Sequence, residues 1–212
     1  MNKTLRDTAT MKHRLTSASR RRMHLPESYW AVDLREVPES VRPHVERYVR
    51  KLDHLLHEGV GLLIVGPEGV GKTAIASLLI QEARSRTYTT LFVQPWQMRQ
   101  MLEDRTPFEE GTSMMERAMN VELLVIDGVS EEEVGARYFD LKRICGLVRH
   151  RVSWKLPTII TSRVRRAAAE IGSGPLASLG EVCRGALVPL LVDGPNRHEK
   201  SETDIAAKVF ED

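Results

Sequence analysis

The sequence predicts an α/β protein built on a five-stranded parallel sheet flanked by helices. Three observations carry that expectation. Five short segments that are apolar almost throughout (GLLIV 61–65, TTLFV 89–93, ELLVID 122–127, PTIITS 157–162, LVPLLV 187–192) alternate with stretches of helical period. Strands apolar on both faces belong in a sheet covered on both sides. The first of them runs into a glycine-rich loop, GPEGVGKT at 66–73, and the third ends in Asp127.

Each element has its own signal. In ESVRPHVERYVRKLDHLLHEG, Val41, Val45, Val49, Leu52 and Leu56 recur at helical spacing. Ser40 is its expected N-cap, Pro43 fits the first turn and Gly59 is the expected stop. After the loop, GKTAIASLLIQEARSR reads as a helix. WQMRQMLEDR and SMMERAMN read as helices, the second with a capping-box pattern from Ser113 to Glu116. Residues 135–153 read as a helix with Leu141, Ile144, Cys145, Val148 and Val152 on its apolar face. Two short helices precede the last strand. There is no internal repeat.

Length and composition set the bounds. A chain of 212 residues supports one domain with a substantial core. A hydrophobic share of 42% beside 28% charged residues fits a soluble globular protein. No apolar run reaches the roughly 18 residues of a membrane-crossing helix. The basic, polar start lacks the apolar region of a secretory signal, so a cytoplasmic location is expected. Cys145 and Cys183, the two cysteines, make no disulfide framework and read as packing residues. The net charge of +2 hides an asymmetry. Residues 1–30 carry Lys3, Arg6, Lys12, Arg14, Arg20, Arg21 and Arg22 against only Asp7 and Glu27, so the remainder is slightly acidic. Such an arm is either a solvated tail or a contact for nucleic acid or an acidic partner.

The loop at 66–73 fits G-x-x-x-x-G-K-[ST] at every fixed position, between a strand and a helix. Residues Gly66, Pro67, Glu68, Gly69, Val70, Gly71, Lys72, Thr73 and Ala74 are therefore expected to cradle nucleotide phosphates. The glycines let backbone N–H groups reach the oxygens, and the helix N-terminus adds the positive end of its dipole. Lys72 is expected on the β- and γ-phosphates. Thr73 and the strand-terminal Asp127 are expected in the shell of Mg2+, with ATP as the nucleotide.

The helix ending LLHEGVGLLIVGPEGVGKT, followed by LLVID, LPTIITSR and an arginine-bearing helix, resembles the DnaC/IstB-like branch of the AAA+ ATPases. That branch includes replicative-helicase loaders and the ATPase helpers of transposases. The resemblance spans about residues 33–198. It implies a P-loop NTPase with an AAA+ core and little or no C-terminal lid, preceded by a flexible basic arm at 1–32 and followed by a short tail at 199–212. It further implies ATP bound between subunits of a homo-oligomeric ring or spiral, often around DNA. Arg184, in GEVCRGAL, falls where the family has an arginine finger for a neighbour's γ-phosphate. Arg197, in GPNRH, matches the arginine after the last core strand. It reads as a phosphate contact or a plain loop residue.

Three departures from the family pattern matter. Gly128 stands where a second acidic residue would activate water. Glu131, Glu132 and Glu133 follow it, and read either as a solvated acidic turn or as a source of the missing base, Glu131 first. Arg163 stands where an asparagine sensor is common, and either contacts the γ-phosphate or faces solvent. The helicase-gripping N-terminal domain of many loaders is replaced by the basic arm. For single-stranded DNA, the candidates are Lys142, Arg143 and Arg149 on the 135–153 helix, with Arg99 and Arg105 near Trp96. Each is also readable as a solvated surface cation. Three functions compete: an ATP-dependent loader or regulator of a replicative helicase or transposase, a nucleotide-gated scaffold that scarcely hydrolyses ATP, and a small-molecule kinase. Gly128 favours the second, and the lack of a clear arginine-rich lid weighs against the third.

Overall fold

The computed structural model describes residues 15–98, 113–130, 138–163, 180–182 and 184–196; for Ser130 and 138–141 the description covers the backbone only. The five predicted strands are present as β1 (Gly61–Gly66), β2 (Thr90–Val93), β3 (Leu123–Ser130), β4 (Thr158–Arg163) and β5 (Leu187–Leu191). They form one sheet in the order β2-β3-β4-β1-β5, every pair parallel. The apolar strands are explained by burial on both faces. Leu62, Ile64, Phe92, Leu123, Val125 and Ile159 enter one core. Their neighbours Leu63, Val65, Leu91, Val93, Leu124, Ile126 and Ile160 enter the other.

The helices are α1 (Ser17–Arg22), α2 (Arg42–Arg50), α3 (Leu52–His57), α4 (Lys72–Ser85), α5 (Met114–Asn120) and α6 (Tyr138–Ser153), with short 3-10 turns at Glu27–Tyr29 and Leu34–Glu36. The first core lies under α2, α3 and α4, and the second under α5 and α6. Among the described residues, no helix is long and apolar enough to cross a membrane. The two short helices expected before β5 lie outside the described residues, apart from a helical stretch at 180–182.

Four local expectations are corrected. The helix predicted over 40–59 is two helices, because the chain breaks at Lys51 (φ −100°, ψ 11°). Its predicted N-cap, Ser40, is not used: Val41 occupies the cap position and makes no side-chain cap bond. In α5, by contrast, Ser113 Oγ accepts the Glu116 N–H at 3.1 Å as its sequence implied. The third strand does not stop at Asp127 but continues to Ser130. The last correction concerns residues 15–32, which the charge pattern places in a flexible arm. Met23, Leu25 and Val32 are buried in the first core. The Phe92 N–H donates to Met23 O at 2.8 Å, extending the pairing beyond β2. Apolar side chains among the arginines outweigh the charge signal, since burying each is worth roughly 1.5–3 kcal/mol.

One buried cation ties these layers together. Arg151, in the last turn of α6, is 0% exposed. Its guanidinium donates to Thr158 Oγ1 (3.0 Å), Ala118 O (2.8 Å), Met119 O (3.4 Å) and Pro157 O (2.8 Å). Burial pushes its pKa down to about 9, so it remains charged at neutral pH. It joins the end of α5 to the start of β4.

Candidate nucleotide site

The loop between β1 and α4 has the shape its glycines allow. Gly69 and Gly71 adopt φ 75° and 97°, in the left-handed region that glycine enters without cost. At Gly66 the constraint is space: a Cβ would lie 2.0 Å from Val192 O. Val70 is 1% exposed and anchors the loop, while Pro67 and Glu68 are exposed. The loop leads straight into the fourteen-residue α4, whose N-terminal dipole end faces it. Lys72 Nζ donates to Gly66 O at 2.9 Å and to Pro67 O. Burial, then the nearby charge of Arg163, lowers its pKa.

Asp127 and Thr73 meet here. Thr73 Oγ1 donates to Asp127 Oδ1 at 2.9 Å, and Thr161 Oγ1 donates to the same oxygen at 2.7 Å. Asp127 is 4% exposed. Burial raises its pKa, opposed by hydrogen bonds from Thr161, Thr73 and Gln94 and by the Lys72 charge. A hydroxyl and a carboxylate side by side are hard oxygen donors suited to Mg2+, which takes few protein ligands and completes its octahedron with phosphate and water. Among the described residues no cluster of three or more His, Cys, Asp or Glu could hold a metal alone. The Thr73–Asp127 donor set fits a Mg2+ that shares its coordination with nucleotide phosphates.

Gly128 is more than a missing carboxylate. Register slips between Ile126, opposite Ile160, and Val129, opposite Ser162, so Asp127 and Gly128 together face Thr161. This is a β-bulge, and the glycine adopts φ 89° to make it. Its N–H donates to Thr161 Oγ1 at 2.8 Å. That hydroxyl accepts from Gly128 while donating to Asp127, so the bulge aims the carboxylate. Any side chain at 128 would find open space but a left-handed backbone, costing about 1–2 kcal/mol.

Several neighbours were not marked by sequence as site residues. Thr161 lies within the PTIITS strand, but only the bulge gives it its role. Glu68 and Arg163, which the sequence does mark, pair with each other: the guanidinium meets Glu68 Oε1 at 2.6 Å, spanning the loop from the end of β4. The register places Arg163 opposite Gly66, so its position beside the loop is built into the sheet. Burial followed by the Asp127 charge raises the pKa of Tyr29, opposed by Thr73. The Tyr29 carbonyl accepts from Gln81 Nε2 at 3.1 Å, which holds the amino-terminal segment on α4. Gln94 also accepts from Trp96 Nε1 at 2.7 Å, linking the Asp127 neighbourhood to an indole that is 49% exposed.

Of the remaining candidates, those among the described residues are not gathered here. Arg184 is exposed in the turn leading into β5. The phosphate loop follows the opposite end of β1, so a strand length of roughly 16 Å separates Arg184 from its own loop. On α6, Lys142 and Arg149 are exposed and Arg143 is half-buried, while Ile144, Cys145, Leu147 and Val148 face the core. Arg99, Arg105, Glu131, Glu132, Glu133 and Arg197 lie outside the described residues.

The parallel sheet, the glycine loop capped by α4 and the Thr73–Asp127 pair define a P-loop NTPase fold. No protein-family model matches the chain, and no curated protein matches it in sequence. Solved structures do match it in shape. The crystal structure of the DnaC helicase loader superposes with a TM-score of 0.65 at 17% identity, covering 79% of this chain and 100% of that one. DnaI superposes with a TM-score of 0.58 at 20% identity, covering 81% and 93%. The replication initiator DnaA bound to AMPPCP and single-stranded DNA gives 0.57 at 18% identity, covering 88% of this chain and 56% of that one. The chain thus shares its fold with the DnaC helicase loader and DnaI.

Proposed function

We propose that this protein binds ATP with Mg2+, assembles on DNA in an ATP-dependent way, and loads or regulates a partner such as a replicative helicase or transposase. The carrying observation is the Thr73–Asp127–Thr161 cluster beside the phosphate loop, in a fold like that of helicase loaders. Bound Mg2+ would neutralise phosphate charge. Thr73 and Asp127 would hold it, Lys72 would turn from the loop carbonyls to the β- and γ-phosphates, and the loop N–H groups would fix the chain of phosphates. Arg184 lies too far from its own loop to serve it and is offered to a neighbouring subunit, which makes nucleotide report on assembly.

Hydrolysis would be slow. Water-activating help is worth about 10²–10⁴-fold, and position 128 supplies no carboxylate. The bulge at Gly128 therefore favours a second reading, a nucleotide-gated scaffold with negligible ATPase activity that recruits a protein partner. Both readings share one test. Light scattering after gel filtration should show larger assemblies with AMPPCP and a single-stranded oligonucleotide than with ADP. Arg184→Ala should bind AMPPCP as tightly as the parent, yet weaken assembly by about tenfold or more, equivalent to ~1.4 kcal/mol. Assembly of Arg184→Ala at parent strength would remove the arginine from the interface.

A further inference from the structure

A second charged site lies at the opposite end of the sheet. At the amino ends of β2 and β3 is a pocket of about 360 Å³, lined among others by Arg22, Arg84, Arg117, Thr89, Glu116 and Asn120. Three guanidiniums thus share it with one carboxylate. The arginines come from three separate elements: Arg22 from α1, Arg84 from the last turn of α4, and Arg117 from α5.

Two of them are held in place by neutral groups. Arg117 donates to Arg22 O at 2.8 Å. Arg84 donates to Ser19 Oγ at 3.0 Å and Tyr88 O at 3.3 Å. Among the described residues, none of the three is recorded in an ion pair. The charges of Arg84 and Arg117 are therefore fixed in direction and paired with no described carboxylate, and the exposed Arg22 adds a third. Half-buried His24 registers the same field, its pKa lowered first by burial and then by Arg117. Packing explains why the arginines are near each other only in part: Arg22 is exposed and its side chain takes no part in the core.

We propose that this pocket binds backbone phosphates of single-stranded nucleic acid, at a site separate from the nucleotide loop. Guanidiniums match phosphate oxygens bidentately and desolvate more readily than ammonium groups. The open face of the pocket suits a passing chain of phosphodiesters, with Asn120 as a further polar group. Thr89, on its wall, is already held by Glu122, donating its N–H (2.7 Å) and hydroxyl (3.0 Å) to that carboxylate. The pocket also adjoins α1, whose Arg20 and Arg21 stack over Trp30 at 5.7 and 5.9 Å. The sequence immediately before α1 supplies Lys12 and Arg14, so cations continue along the chain. The inference rests on the proposed DNA association and gives it a location.

The test is fluorescence anisotropy of a labelled oligo-dT with the full chain, titrated at several salt concentrations in the presence of saturating AMPPCP and Mg2+. Arg22→Ala and Arg22→Glu leave every recorded side-chain bond intact, so the fold and ATP affinity should be those of the parent. Each lost phosphate contact should reduce the slope of log K against log salt by about 0.7, with affinity falling several-fold for Ala and further for Glu. Arg117→Lys, which keeps the charge, should retain most of the binding. Unchanged affinity and slope in both Arg22 variants, with the parent binding oligo-dT, would overturn the pocket but leave DNA association standing. A parent that binds no oligo-dT would overturn both. Inorganic pyrophosphate added to a Lys72→Ala background separates the sources. Arg22-dependent binding of pyrophosphate without oligo-dT binding would make the pocket a small-phosphate site and would also overturn the proposal.

Discussion

Arg151→Ala is expected to cost about 3–5 kcal/mol of stability, a third or more of what a domain of this size commonly has. The side chain is fully buried, and its guanidinium serves three backbone carbonyls and the Thr158 hydroxyl. Removing it leaves those acceptors in the core, at about 1–3 kcal/mol for each that finds no water. It also opens a cavity between α5, α6 and β4. Arg151→Met fills the volume but supplies no donors, so it should recover only the packing part. Urea unfolding reads the effect as a lower midpoint with an unchanged slope. A loss under about 1 kcal/mol for Arg151→Ala would mean water replaces the guanidinium at little cost.

Lys72→Ala is expected to weaken ATP binding by about 10- to 150-fold, the worth of 1.5–3 kcal/mol for hydrogen bonds to a charged group. The ammonium is half-buried and already directed at the loop, bonded to Gly66 O and Pro67 O. Its pKa is lowered from the ordinary lysine value by burial and by Arg163, but Asp127 and Glu68 oppose the change. Stabilisation by ligand gives a simple readout. ATP at a hundred times its Kd raises stability by about 2.7 kcal/mol, and a hundredfold weaker variant at the same concentration keeps only about 0.4. A thermal shift with ATP equal to the parent's would take Lys72 out of the phosphate site. Folding itself should be unaffected, because the ammonium carries no core contact.

Much of this architecture can be read from residues alone. Apolar segments of five or six residues between helical stretches fix both the strands and their burial, and GPEGVGKT fixes the loop. The pairing of Thr73 with Asp127, 54 positions apart, joins the start of α4, just after the loop that follows β1, to β3, which lies two places from β1 in the sheet. What sequence does not reveal depends on pairing. The bulge at Gly128 needs the register of β3 against β4, so the glycine reads only as an absent acid. Thr161 and Arg163 gain their roles from the same register. Arg151 sits among Arg149 and His150 and looks like one more surface cation until α5 and β4 close around it. Charge is a poor guide at the amino terminus too, where Met23, Leu25 and Val32 decide the packing against a background of arginines.

The central claim is an ATP-binding site that turns over slowly because the bulge at 128 offers no base. Its most direct test is steady-state ATP hydrolysis by the purified chain, with and without single-stranded DNA, using Lys72→Ala as the blank and measuring ATP affinity in parallel. The expected result is saturable binding with turnover below roughly 0.1 per second, about a hundredfold under a typical enzyme. Turnover near ten per second without DNA would contradict it and require an activating carboxylate from elsewhere in the chain or from a neighbouring subunit.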